Sequence, residues 1–93
     1  MSVCKVYTLK NGVQVRRETF GLLFYDYRGP RLYFVPTKDL IEDDFFQGRR
    51  SLAELVGDIQ ERQGWPTDWI EERLDQILTT LERKDLIDGQ SIC

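Results

Sequence analysis

The stretch from Phe20 to Pro36, FGLLFYDYRGPRLYFVP, constrains the fold of this chain more than any other part of the sequence. Leu22 to Tyr27 and Leu32 to Val35 are runs of mostly aliphatic and aromatic side chains, which favour a pleated, half-buried surface. Gly29 and Pro30 lie between the two runs and mark a turn, so the stretch predicts a β-hairpin. Because strands are predicted before it and helices after it, we expect its second strand to lie at a sheet edge.

The residues before this hairpin predict two further strands, at about 3–10 and 13–19. Asn11-Gly12 lies between them and is a strong hairpin signal, because a type I′ turn needs φ > 0 at both central residues. The second run alternates apolar and polar side chains, which suits a strand with one wet face. Together with strands at about 21–27 and 31–35, the pattern predicts an antiparallel meander of three to four strands.

The first two of three predicted helices follow Pro36. Thr37 is placed to cap a short helix at about 38–46 that buries apolar side chains. Ser51 and Glu54 form a capping box at the start of an amphipathic helix that ends near Gly64.

A third helix is predicted from Thr67 to about Lys84, and residues 89–93 are expected to form a frayed tail. Strands followed by helices predict a single α+β domain over residues 1–93, with segregated layers.

The composition and length of the chain indicate its protein class, its cellular location and its charge distribution. A chain that is 41% hydrophobic and 31% charged is expected to be globular, and no run approaches the ~20 apolar residues of a membrane span. The first ten residues lack the apolar core of a signal peptide, so cytoplasmic residence is the expectation. The first fifty residues carry nine Lys/Arg and six Asp/Glu, whereas residues 51–93 carry four and ten, so the helical half is acidic.

The sequence lacks the side chains of several common active sites. It contains no histidine, which excludes a Ser-His or Cys-His pair and any metal site built on histidine. Its two cysteines, Cys4 and Cys93, are too few for a four-cysteine zinc site, and we interpret them as thiols at a half-buried strand position and in the tail. No Gly-rich phosphate loop is present. We therefore expect a protein that is not an enzyme and that has no metal or other cofactor.

Two features are candidates for a binding site: the strand edge and a polar-aromatic flank of the third helix, whose members share one helix face. If the helix lies beside the edge strand, they form a groove to which an extended peptide can add as a strand. Alternatively, Trp69 is a satellite core residue that packs on Trp65 or on the second helix, and Tyr33 and Val35 are simply buried under the helices. The candidate peptide-binding residues are Arg31, Leu32, Tyr33, Phe34, Val35, Trp69, Arg73, Gln76, Ile77 and Thr80.

The segments VRRETFGLLFYDYRGPRLYFV, SLAELVGDIQERQG and LERKDLI resemble the PqqD-like family over residues 12–88, and the first looks most like the peptide chaperone of mycofactocin-type clusters. These proteins are RiPP recognition elements, winged-helix domains that bind the leader of a ribosomal precursor peptide and present it to a modifying enzyme, often a radical S-adenosylmethionine (SAM) enzyme. The resemblance implies that the leader pairs with Arg31–Val35 and lies against the helix Asp68–Lys84. Asp85, where the family often has Gly, departs from the pattern. So does the extra strand Val3–Leu9, a candidate for homodimer formation or enzyme docking.

A DNA-binding winged helix is the alternative, since three helices after strands match that outline. Its recognition helix would be the third, where Asp68, Glu71 and Glu72 lead and would repel phosphate. We therefore expect no nucleic-acid partner and no membrane partner.

Overall fold

The strands and helices follow one another as an antiparallel β region and then two α-helices. The computed structural model describes residues 4–37 and 39–92. Within them the chain forms, in order, β1 (Lys5–Leu9), β2 (Val13–Glu18), β3 (Gly21–Asp26), β4 (Arg31–Val35), a 3₁₀ helix (Asp43–Phe46), α1 (Leu52–Gln63), α2 (Thr67–Arg83) and β5 (Ile87–Ser91). The predicted α+β class with N-terminal antiparallel strands is confirmed, but the prediction of three helices is wrong.

The sheet that positions the candidate site has the order β2-β3-β4, so β4 lies at an edge as predicted. Its central strand β3 is buried at five of six positions. Phe24 of β3 faces Tyr33 of β4, and Leu22 faces Val35. Because paired residues share a face of the sheet, Tyr33 and Val35 lie on the core side with two fully buried side chains.

The predicted hairpin between β1 and β2 is wrong, because these strands lie in different sheets. The turn exists, since the Val13 N–H donates to the Lys10 carbonyl at 3.1 Å. However, Gly12 has φ 84° while Asn11 is not among the described residues with positive φ. A turn with positive φ only at its second central residue is type II, whose twist splays the flanking strands rather than pairing them.

The predicted frayed tail at 89–93 is also wrong for residues 89–91, which belong to β5 and pair antiparallel with β1. Leu86 and Ile87 are fully buried and anchor the start of this strand, and the Ile92 N–H donates to the Cys4 carbonyl at 2.8 Å. Cys4 is half-buried as expected, but it precedes β1 rather than lying in the strand, and it is disulfide-bonded rather than a free thiol. The predictions for Val3 and Cys93 lie outside the described residues.

The predicted helix at 38–46 is replaced by a turn and the short 3₁₀ helix; its first residue, Lys38, is not described. Asp39 has φ 66°, a left-handed conformation that an α-helix cannot contain. The Thr37 hydroxyl does not cap a helix but donates to the Ile41 carbonyl at 3.1 Å. Both Phe45 and Phe46 are buried.

The other two helix predictions hold in detail. The Ser51 hydroxyl accepts from the Glu54 N–H and the Glu54 carboxylate accepts from the Ser51 N–H, which is the predicted capping box of α1. Gly64 ends this helix at φ 71°. Helix α2 buries one stripe against the core and contacts α1 and β5. Its opposite, polar side remains exposed, which leaves one flank of α2 available beside β4.

Candidate functional site

The hydrogen-bonding direction of each β3 residue follows from one bond at the end of the sheet. The Tyr27 N–H donates to the Gly12 carbonyl at 2.8 Å, and these residues extend the β2–β3 register by one pair. In an antiparallel pair, hydrogen-bonded and non-hydrogen-bonded residue pairs alternate. The backbone groups that β3 directs toward β4 therefore belong to Leu22, Phe24 and Asp26.

The same alternation decides which backbone groups β4 leaves free at the sheet edge. The β4 partners of Leu22, Phe24 and Asp26 are Val35, Tyr33 and Arg31, whose N–H and C=O groups bond to β3. Leu32 and Phe34 consequently direct their N–H and C=O groups away from the sheet. An edge of this kind can accept another strand.

The side chains of β4 also alternate, with successive residues on opposite faces of the sheet. Tyr33 and Val35 are half-buried and pack against the core. Leu32 and Phe34 lie on the opposite face and are 51% and 65% exposed. The Phe34 ring contacts that of Phe20, with 5.3 Å between centroids. Tyr33 and Val35 do pack against the core, but they are not simply buried under the helices, because each remains partly exposed.

A cavity of about 280 Å³ lies between the end of β4 and the exposed flank of α2. Six of the predicted residues line it: Phe34, Val35, Arg73, Gln76, Ile77 and Thr80. Pro36 and Leu81 also line it and were missed. Leu81 belongs to the buried stripe of α2 and Pro36 directly follows β4, although both border the groove.

Tyr33 joins the groove through a cation that sequence reasoning missed. The Lys84 ammonium lies over the Tyr33 ring, 4.6 Å from its centroid. Its spacing of four from Thr80 puts Lys84 on the same flank of the helix, which is the signal that could have identified it. Val35, the last residue of β4, borders the cavity together with Arg73, whereas Tyr33, two residues earlier, contacts Lys84. The end of α2 therefore lies nearer the beginning of β4.

Trp69 lies at the other end of this flank and does not line the cavity. It packs edge-on against Trp65, with 5.1 Å between ring centroids, so the alternative interpretation describes its position. Its side chain is nevertheless 43% exposed, and the Arg73 guanidinium lies 5.6 Å from its ring centroid. Trp69 thus extends the groove through Arg73 rather than forming its floor.

Arg31 and Leu32 border a second cavity, of about 500 Å³, at the turn of the β3–β4 hairpin. Asp26 lines it too and is buried. The Asp26 carboxylate accepts from the Arg28 side chain at 2.9 Å, and this hydrogen bond lowers the pKa of Asp26. Arg28 also donates to the Asp85 carbonyl, so the hairpin is tied to the chain after α2. The structure therefore divides the ten predicted residues between the groove and the hairpin end of the edge.

Two other kinds of site find no support among the described residues. No group of three or more His, Cys, Asp or Glu side chains there is arranged to hold a metal ion. None of the helices in the described ranges has the length and apolar character needed to cross a membrane. What the groove offers is hydrogen-bonding backbone on one wall, apolar side chains on its floor and cations at its rim.

Comparison with known proteins assigns the chain to a family. No curated protein and no solved structure matches it. The family model described as the peptide chaperone MftB family matches residues 6–88, from the second residue of β1 to the second residue of β5. This description names chaperones of peptides rather than catalysts. Because the match spans nearly the whole chain, the resemblance seen in the sequence is confirmed: the chain belongs to the peptide chaperone MftB family, a PqqD-like family of RiPP recognition elements.

Proposed function

We propose that the chain binds the leader of a ribosomally synthesised precursor peptide by β-strand addition to β4 and presents it to a modifying enzyme. The observation that carries this proposal is the outward direction of the Leu32 and Phe34 backbone groups beside the cavity under α2. A strand edge with an adjoining apolar pocket is a recurring mode of peptide recognition. Membership of a peptide chaperone family supports the same function.

The free edge supports a short, defined pairing. Leu32 and Phe34 together offer two N–H donors and two C=O acceptors. Pro30 and Pro36 stand at the next outward positions along the chain and have no N–H to donate. A leader strand therefore gains its backbone hydrogen bonds over about three residues, and pairing beyond them is limited at both ends.

Side chains of the added strand would alternate between the two faces of the sheet. Leader residues opposite Tyr33 and Val35 point toward α2, and the residue opposite Val35 enters the cavity of about 280 Å³. The leader residue opposite Phe34 lies on the other face, against an exposed ring. A micromolar complex corresponds to about −8 kcal/mol, after the several kcal/mol that ordering the peptide costs.

An N-methyl scan of the leader tests strand addition directly. A leader peptide, taken from a precursor gene sought in the neighbourhood of this gene, is synthesised with one backbone N–H methylated at a time, and binding is measured by fluorescence anisotropy. We expect two sensitive positions separated by a tolerant one, since only alternate N–H groups of an added strand face β4. Equal sensitivity at every position, or at none, contradicts strand addition while leaving peptide binding as a separate result.

The remaining parts of the proposal concern partners. We propose a radical SAM maturase as the enzyme, on the family resemblance, and a cytoplasmic site of action. A homodimer through β1 stays a proposal, but β1 pairs with β5 along one edge and bridges Gln47 through Thr8. Exchange of β1 between two copies therefore has more support than simple edge pairing.

The winged-helix-like arrangement also stays a proposal, with Asp43–Phe46 in the position of a first helix. The DNA-binding alternative has less support, because Asp68 and Glu72 are exposed on α2. Titration with duplex DNA at two salt concentrations tests it. Steeply salt-dependent DNA binding without leader binding would reverse the order of the two functions.

A further inference from the structure

We propose that the groove selects an acidic leader, in which two carboxylates flank an apolar side chain on the face turned toward α2. This inference rests on the proposed strand addition and specifies its peptide. The central apolar residue lies opposite Val35, one carboxylate lies opposite Tyr33 beside Lys84, and the other lies two residues beyond the apolar one, toward Arg73. The pattern is acid-x-apolar-x-acid, which reads the same in either strand direction.

The first argument is the pairing state of the cations at the groove rim. Arg73 borders the cavity and Lys84 covers the Tyr33 ring. Within the described part of the chain, neither side chain lies within ion-pair distance of a carboxylate, whereas six other cations do: Lys10, Arg16, Arg17, Arg28, Arg31 and Arg50. The groove cations are therefore available to a charged ligand.

The second argument is the distribution of charge around α2. Helical periodicity places Arg73, Ile77, Thr80 and Lys84 on the groove flank. The acidic side of the helix lies opposite this flank and consists of Asp68, Glu71, Asp75 and Glu82. Glu72 lies between the two sides. Residues 51–93 carry four Lys/Arg and ten Asp/Glu, so this helical half repels an acidic peptide over most of its surface, and the groove flank is where such a peptide is favoured on it.

The third argument is the floor between the two cations. Val35, Ile77 and Leu81 line the cavity, and Leu81 is fully buried beneath it. A charged leader side chain in this position would lose water without gaining a partner, which is costly. An apolar side chain there, with carboxylates on either side of it, matches both the floor and the rim.

Two synthetic probes test the inference. One labelled peptide carries the core Glu-Ala-Leu-Val-Glu between flanking serines, and the matched peptide has both Glu replaced by Gln. Anisotropy titrations at about 50 mM and about 500 mM NaCl compare them, because screening weakens exposed charge pairs. We expect the Glu peptide to bind about fivefold tighter at the lower salt, from two exposed ion pairs, with a smaller ratio at the higher salt.

The protein variants locate the effect. The double variant Arg73→Gln, Lys84→Gln should bind the two probes equally. Arg62→Gln, which removes an exposed charge from the end of α1, should keep the preference. Equal binding of both probes to the unaltered protein overturns the inference, as does a preference that survives in the double variant or a natural leader that binds while the Glu probe does not. Failure of the natural leader to bind at all overturns the proposed function instead.

Discussion

Asp26 shows how a single buried carboxylate keeps the β3–β4 hairpin in place. Its side chain is 1% exposed and accepts from both the backbone N–H and the side chain of Arg28. These bonds keep the carboxylate ionised, with its pKa below the usual value, and the burial of Asp26 only partly opposes that effect. The same Arg28 side chain reaches Asp85, which follows α2. Asp85 has φ 59°, so it adopts here the left-handed conformation that glycine favours.

The lowered pKa of Asp26 predicts a specific loss of stability in acid. A carboxyl group with a lower pKa when folded than when unfolded stabilises the protein above its unfolded pKa of about 3.9, and this contribution disappears as the pH falls through the folded pKa. We expect Asp26→Asn to be less stable than the unaltered protein at pH 7. The difference in the free energy of unfolding, measured with urea, should shrink from about pH 5 downward.

The control for this prediction is Glu72→Gln. Glu72 is an exposed carboxylate for which the structure shows no ion pair within the described residues, so its replacement should change the acid dependence little. If Asp26→Asn destabilises the protein equally at about pH 3 and at pH 7, the charge of Asp26 does not contribute as argued.

Among the elements, β4 and α1 were predictable from the sequence because local signals define them. The capping box begins α1, and the aromatic hairpin predicts both β4 and its edge position. The 3₁₀ helix was mistaken for an α-helix, since nothing local reveals that Asp39 adopts a left-handed conformation. The hydrogen-bonding direction of β4 was also beyond the sequence, because a strand shifted by one residue in its pairing would expose the other set of backbone groups.

The edge position of β4 now distinguishes two proline substitutions. Phe34→Pro removes an outward N–H, which an edge strand tolerates, so the fold should persist while the leader loses a hydrogen bond. We expect it to bind leader about tenfold more weakly than Phe34→Ala, which lacks the same ring but keeps the donor. Val35→Pro removes an N–H that bonds to β3 and should disturb the fold itself.

Circular dichroism must accompany these titrations to separate the two effects. A folded Phe34→Pro variant that binds as tightly as Phe34→Ala shows that the Phe34 N–H does not meet the leader. A well-folded Val35→Pro variant contradicts the hydrogen-bonding directions assigned to β4.

At the scale of the whole molecule, the two ends of the described chain meet in the β1–β5 sheet. The sequence did not predict this arrangement, because the pairing joins residues more than seventy positions apart and β5 carries few strand-forming side chains. The candidate site was likewise only partly predictable, because some of its contacts join elements that are distant in the sequence. Arg73, Gln76, Ile77 and Thr80 follow from helical spacing, whereas the contact between Lys84 and Tyr33 depends on how α2 lies across β4.

Removing residues 1–10 is therefore expected to damage the core rather than simply to separate a dimer. Val6 and Tyr7 are buried, and the Tyr7 ring lies 5.9 Å from that of Phe45. Deletion would uncover Ile87 and leave β5 without its partner strand, so we expect the cooperative thermal transition to be lost. Light scattering of this variant would then report on unfolded chains and not on strand exchange.

A pair of point variants tests the same role of β1 without shortening the chain. Val6→Asp places a carboxylate in the core and should lower the free energy of unfolding by several kcal/mol, because a buried charge there would lack a partner. Thr8→Asp makes the same replacement at an exposed position two residues along the strand and should change it by about 0.5 kcal/mol or less.

Equal melting temperatures for the two variants would mean that β1 is an accessory strand. In that case deletion of residues 1–10 becomes a valid test of the homodimer: a mass halved in light scattering would support exchange through β1, and an unchanged mass would exclude it.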